Sequence, residues 1–219
     1  PSYAGPSTPG VAFLDADELK HSIAQSRKVA DLVVVLLHWG LEEYTYPAPA
    51  QVDLARQLVL SGADIIIGHH PHVLQGVHRI ENGLVAYSLG NFLFDDFLWN
   101  AGGEGKDMMF TLSESNRKGM ILQISCHRTG FADVSRVFTR ISSEGITIDD
   151  DLGREKEIER LSIQLSSTLY NLWWRPYAIK REWDLRVRNS MSLSWILMNI
   201  LKIRPKHIKE LIRTVRKSL

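Results

Sequence analysis

The sequence predicts a mixed α/β fold built on one parallel β-α-β unit, and three consecutive stretches carry that expectation. "DLVVVLLHWG" (31–40) and "DIIIG" (64–68) are short apolar runs rich in β-branched residues, the composition of strands buried on both faces. Between them, "PAPAQVDLARQLVLSGA" (47–63) sets Val52, Ala55, Leu58 and Val59 on one helical face and ends near a glycine that can stop the helix. A strand, a crossover helix and a second strand pair in parallel.

The remaining elements follow in order. Residues 1–10, "PSYAGPSTPG", read as a Pro/Gly/Ser loop, and residues 15–29 as a helix with an acidic first turn and Leu19, Ile23 and Ala24 at helical spacing. "LVAYSLGNFLF" (84–94) reads as a strand followed by a Gly-Asn turn, and the Gly-rich, acidic residues 95–107 as a mobile loop. "GMILQISCH" and "DVSRVFTRI" form an expected hairpin around Arg128-Thr129-Gly130, with Cys126 as a small core residue in mid-strand. From about residue 153 the pattern is helical. It runs through "REKEIERLSIQLSSTLYNLWW" and "SLSWILMNILKI" to a last helix opened by Pro205.

Composition bounds the function. At 219 residues, 44% hydrophobic and 23% charged, the chain is globular and large enough to bury a core. The net charge of +1 hides a division: residues 1–150 carry 11 basic against 18 acidic side chains, and residues 151–219 carry 15 against 7. We therefore divide the chain at 150, into an α/β portion and a helical, basic extension. A single cysteine excludes an internal disulfide and a cysteine-rich zinc site. No apolar run reaches membrane-spanning length. The first residue is not Met, and the opening reads as the middle of a longer chain. The acidic 1–150 portion and the lack of a recognition motif argue against nucleic acid as a partner.

The chemistry is concentrated in "GHHPH" (68–72). In an extended segment His70 and His72 point the same way while His69 points elsewhere, and Pro71 restricts the backbone between them. Neutral imidazoles so placed suit a zinc, iron or manganese-type ion. The alternative is a polar turn bonded to water and backbone. His38 ends the neighbouring parallel strand, so it and the GHHPH group converge at the carboxyl rim of the sheet, where α/β sheets place ligands. Trp39 and Gly40 allow a tight turn with an aromatic wall beside the site. Glu42 offers a carboxylate to orient an imidazole, Asn91 closes a turn or touches substrate, and Asp95 contacts metal or substrate or is solvated in its loop. A basic amphipathic stretch from Met191 to Leu219 lies in a membrane interface or packs on the rest of the chain.

Three segments, "ADLVVVLLHWGLEEYTYPAPAQ", "GADIIIGHHPHVLQGV" and "LVAYSLGNFLFD", resemble the CapA-type poly-γ-glutamate capsule-biosynthesis proteins of the calcineurin-like metallophosphatase superfamily. The resemblance runs from Ala12 to Ile141. It implies the C-terminal part of a four-layer α/β/β/α metallophosphatase-like sandwich, followed by the helical basic extension. It also implies a site for two divalent ions, with His38, His70 and His72 as ligands and His69 as a candidate catalytic or substrate contact. Implied partners are an anionic polymer or phosphoester substrate and a membrane-associated polymer-synthesis complex at the bacterial cell envelope. The rival readings are a non-catalytic assembly or export component, and a polyanion-binding module. The family's Gly-Asp, Asn-x-Glu and Asn-Asn-His motifs do not occur in these residues. The expectation is a half-site: an ion pair about 3.5–4 Å apart needs bridging ligands from both halves of the sandwich, so this chain alone should hydrolyse little.

Overall fold

The computed structural model describes residues 3–100, 107–128 and 130–190. The first helix, α1 (Ala16–Ser26), starts where the carboxylate of Asp15 accepts the amides of Asp17 and Glu18, both at 2.9 Å. It stops short of the predicted residue 29. Arg27 turns away to the Asp64 carboxylate at 2.7 Å, and that carboxylate also accepts the amide of Val33.

The expected unit is present. Strand β1 (Val34–His38), helix α2 (Pro49–Leu60) and strand β2 (Ile65–His69) follow in order. The strands are parallel, in register from Val34 opposite Ile65 to His38 opposite His69. One detail of the strand reading is corrected. β1 alternates: Val35 and Leu37 are buried in the same apolar core as Ala55, Leu58 and Val59 of α2, whereas Val34 is 48% and Leu36 71% exposed. The apolar run therefore has one dry face and one wet one.

Strands β3 (Val77–Ile80) and β4 (Gly83–Ala86) complete a four-stranded sheet of order β1-β2-β4-β3, in which only β3 is antiparallel. The sequence pattern had offered β4 but not β3. The expected loop after residue 95 contains β5 (Phe97–Asn100), antiparallel to β6 (Asp107–Phe110), and residues 101–106 lie outside the described residues. The hairpin is β7 (Lys118–His127) with β8 (Gly130–Ser142), and a third strand, β9 (Gly145–Ile148), adds to β8. Cys126 follows a bulge in β7 and is exposed, so it is not the core residue its mid-strand place suggested. Met120 N–H bonds Leu89 O and Asn91 N–H bonds Lys118 O, which ties the hairpin sheet to the segment after β4.

The helical pattern that begins at about residue 153 resolves, among the described residues, into two helices, α3 (Gly153–Leu165) and α4 (Tyr170–Ser190), broken at "SSTL". Ser166 and Ser167 close the first helix through amide bonds to Ile163 O and Gln164 O. Ile158, Leu161 and Leu165 of α3 and Trp174 and Ala178 of α4 belong to the same apolar core as Leu37, Leu58 and Ile66. The amphipathic stretch 191–219 lies outside the described residues. Among the described residues no helix is long and apolar enough to cross a membrane.

Candidate metal centre

Because β1 and β2 are parallel, their carboxyl ends share one rim, and His38 and His69 stand side by side there. The chain then turns. His70 has φ 103° and His72 φ 58°, left-handed conformations rare outside glycine. Strand alternation is therefore not what assembles the pair; a strained turn at His70-Pro71-His72 is. It sets the His70 ring 4.7 Å from that of His38 and 6.1 Å from that of His72, centre to centre.

The loop leaving β1 comes back over this turn. Gly40 takes φ 96° and Glu43 φ 62°, and the Glu43 amide donates to Pro71 O at 2.7 Å. That bond lays the loop against the histidine turn and delivers Glu42. Potential ligand atoms of Glu42, His70 and His72 all lie within 4.8 Å of one another. Among the described residues, three of the four non-glycine residues with positive φ (Glu43, His70 and His72) sit at this place, the clustering of strain expected where geometry serves function. Two imidazoles and a carboxylate oxygen are a donor set suited to zinc, iron or manganese, so the residues fit a divalent cation of that type.

His72 is oriented from behind. Asn91, buried, donates from Nδ2 to Asn116 O at 2.9 Å, so its Oδ1 must be the atom that faces His72 Nδ1 at 2.8 Å. His72 therefore carries its proton on Nδ1 and leaves the Nε2 lone pair for a ligand role. Asn116, also buried, returns its own amide to His72 O at 3.0 Å and accepts from Ser113. Sequence reasoning missed Asn116, which in "SESNRKG" reads as an ordinary turn residue. Replacing Asn91 by Ala should weaken divalent-cation binding by about 10–100-fold, the usual cost of losing a ligand's hydrogen-bonded support. Calorimetric titration with Zn²⁺ or Mn²⁺ would measure it.

Desolvation, then the neighbouring His38 and His72, hold His70 below the ordinary imidazole range, against the opposite pull of Glu42. Desolvation and then His38 lower His69 as well, and desolvation and then Arg56 lower His78. All three thus favour the neutral form in the fold. As pH falls through the unfolded-state value near ~6.5 the unfolded chain takes up these protons first. Stability should decline from there and level off below the folded values. Thermal melts of the ion-free chain should show a lower Tm at pH 5.5 than at pH 7.5, and His78→Asn should shrink that difference.

Asp95 does not belong to that group of potential ligands. Asp95 is exposed and accepts the amide of Asp96, while Asp96 accepts from Leu112 N and Arg117. Trp39 is not a wall beside the site. It is buried beneath the sheet, stacked on Tyr87, with Nε1 donating to Tyr87 O at 3.2 Å. The aromatic neighbour of the site is Phe94, edge-on to His72 at 5.1 Å between ring centres.

Residues 2–96 match the family described as "Bacterial capsule synthesis protein PGA_cap". That segment contains Glu42 and every histidine discussed above, and it ends short of Ile141, where the resemblance of motifs was read to end. The "Capsule biosynthesis protein CapA" of Bacillus anthracis is 47% identical over 91 residues, 40% of this chain and 22% of that protein. The "PGA biosynthesis protein CapA" of Bacillus subtilis is 46% identical over 89 residues, 41% of this chain and 23% of that protein. The matched part of the chain thus spans less than a quarter of the length of these relatives.

Proposed function

We infer, from the premise that this chain is of the CapA type over residues 2–96, that it serves the synthesis of a bacterial capsule polymer such as poly-γ-glutamate. In this reading it does so through a metal-dependent, phosphoesterase-type hydrolytic site. The observation that carries the reading is the meeting of Glu42, His70 and His72 at the rim of the parallel sheet. These three would hold a divalent cation, with His38, outside that group but 4.7 Å from His70 between ring centres, as a further donor. Such a cation supplies Lewis acidity to a phosphoryl or carbonyl oxygen. The complete site would take two ions, within the four-layer sandwich that the family resemblance implies.

The chain's own residues would do the rest. Asn91 keeps the proton on His72 Nδ1, which leaves Nε2 as the atom that would bind a cation. His69, whose desolvated surroundings favour the neutral form, would be the candidate to accept a proton from the attacking water or hydroxyl. The substrate class is a phosphoester or an anionic polymer, and the setting a membrane-associated synthesis complex at the cell envelope.

A second reading, a non-catalytic assembly component, is favoured by one observation: Val34 and Leu36 present an apolar strip on the open face of β1, suited to contact with another protein surface. One experiment separates the two. The full gene product, loaded with Mn²⁺ or Zn²⁺, is assayed on bis(p-nitrophenyl) phosphate beside its His70→Ala variant. Ion-dependent turnover lost in the variant supports the hydrolase. Stoichiometric ion without turnover on this or any capsule-type substrate favours the assembly role.

A further inference from the structure

Residues 43–47, the segment following Glu42, have an unusual set of partners. Tyr170 donates from its hydroxyl to Pro47 O at 2.7 Å, and Trp174 from Nε1 to Tyr46 O at 3.5 Å. The Tyr177 hydroxyl accepts the Thr45 amide at 2.8 Å, and Arg181 donates from Nε to Glu43 O at 2.9 Å. These four residues recur at i, i+4, i+7 and i+11 and so form one stripe along α4. Each places a polar atom on the backbone of a different loop residue, in reverse order along the chain. A helix that merely covered a core would need only apolar side chains there. This one follows the loop atom by atom.

We propose that α4 is a positioning element of the metal centre, its stripe holding residues 43–47 so that the carboxylate of Glu42 stays against His70 and His72, with Arg181 as the decisive contact. The inference rests on the metal reading above. Glu42 is exposed at the loop's turn, so the place of its carboxylate is set by the backbone that carries it. The next residue, Glu43, keeps its left-handed φ of 62° between two fixed points: its amide on Pro71 O and its carbonyl under Arg181. A non-glycine residue persists in that region only where its surroundings over-determine it. The Arg181 guanidinium also reaches the Glu43 carboxylate at 3.6 Å, so one side chain holds both the backbone and the side chain of the strained residue. Releasing Glu43 would free the loop to relax, and Glu42 would move with it. Tyr170, Trp174, Tyr177 and Arg181 are thus supports and not ligands, and they come from the part of the chain beyond residue 150.

The test compares the 219-residue chain with its Arg181→Ala, Arg181→Lys and Tyr177→Phe variants in two measurements. The first is hydrogen–deuterium exchange of the 41–46 amides. The second is Co²⁺ affinity, read from the visible absorption of the bound ion. Arg181→Ala should speed exchange at 41–46 by about tenfold or more while β2 and β4 stay protected, and should weaken Co²⁺ binding by about tenfold. Arg181→Lys, which keeps a donor but not the fork, should recover part of both. Tyr177→Phe retains the packing and should loosen Thr45 alone. Unchanged exchange at 41–46 in Arg181→Ala overturns the proposal, and so does faster exchange with undiminished Co²⁺ affinity. A wild-type chain that binds no Co²⁺ sinks the metal reading instead, and the exchange result still decides whether α4 fixes the loop.

Discussion

Replacing His70 by Ala is expected to reduce divalent-cation affinity by at least ~100-fold, a larger loss than any supporting residue should cause. The reason is positional. His70 is the side chain that meets every other candidate donor: it shares the cluster with Glu42 and His72, and its ring lies against that of His38. Its removal leaves Glu42 and His72 facing a gap, and His38 without the neighbour that links it to them. Because His70 is neither fully buried nor part of β2, the fold should survive: the far-UV circular dichroism of the variant should match that of the parent. Calorimetric titration with Zn²⁺ beside that spectrum checks both halves. An affinity within threefold of the parent would place the ion, if any, elsewhere.

Gly68→Ala is expected to be the most damaging single methyl addition in the sheet. A Cβ built there would lie 2.0 Å from Tyr87 O and 2.3 Å from Trp39 Nε1, the two atoms that hydrogen-bond each other beneath β2. Neither is a flexible side-chain end: one belongs to the backbone after β4, and the other to a buried indole stacked on Tyr87. Relief requires shifting the strand or expelling the indole and orphaning a buried carbonyl. A cost of at least ~3 kcal/mol follows from overpacking plus the lost hydrogen bond. In a chain of this size that corresponds to a fall in Tm on the order of 10 °C. Differential scanning calorimetry would show it, and a fall below 2 °C would mean the sheet yields more easily than its packing implies.

Some of this organisation was open to inspection in the primary structure. The β1-α2-β2 unit was legible because long apolar runs and a helical stripe are strong periodic signals, and parallel pairing follows from the crossover. That places His38 and the GHHPH group at a common rim. The exposure of Leu36 was not legible, since a run of β-branched residues looks the same whether one face or two are covered. Nor were β3, β5 and β9, each four residues long and too short to show a period. The site's finer geometry depended on backbone angles that ordinary residues seldom adopt. Nothing in "HHPH" or "LEEY" announces φ values of 103°, 58° and 62°. Glu42 entered as a possible support for an imidazole, and the fold places it among the potential ligands. Most hidden was the stripe on α4: the sequence marks Tyr170, Trp174 and Tyr177 only as part of a helical pattern, and the loop opposite reveals their polar atoms in use.

The wet face of β1 would have a consequence for any ion held at the rim. Val34 and Leu36 lead along one side of the strand to His38, so the imidazoles stand at the end of a hydrocarbon strip that water now touches. Any cover laid on that strip would thin the solvent around the cation and strengthen its attraction to the carboxylate of Glu42. By reciprocity, a bound cation must then tighten the cover by the same factor.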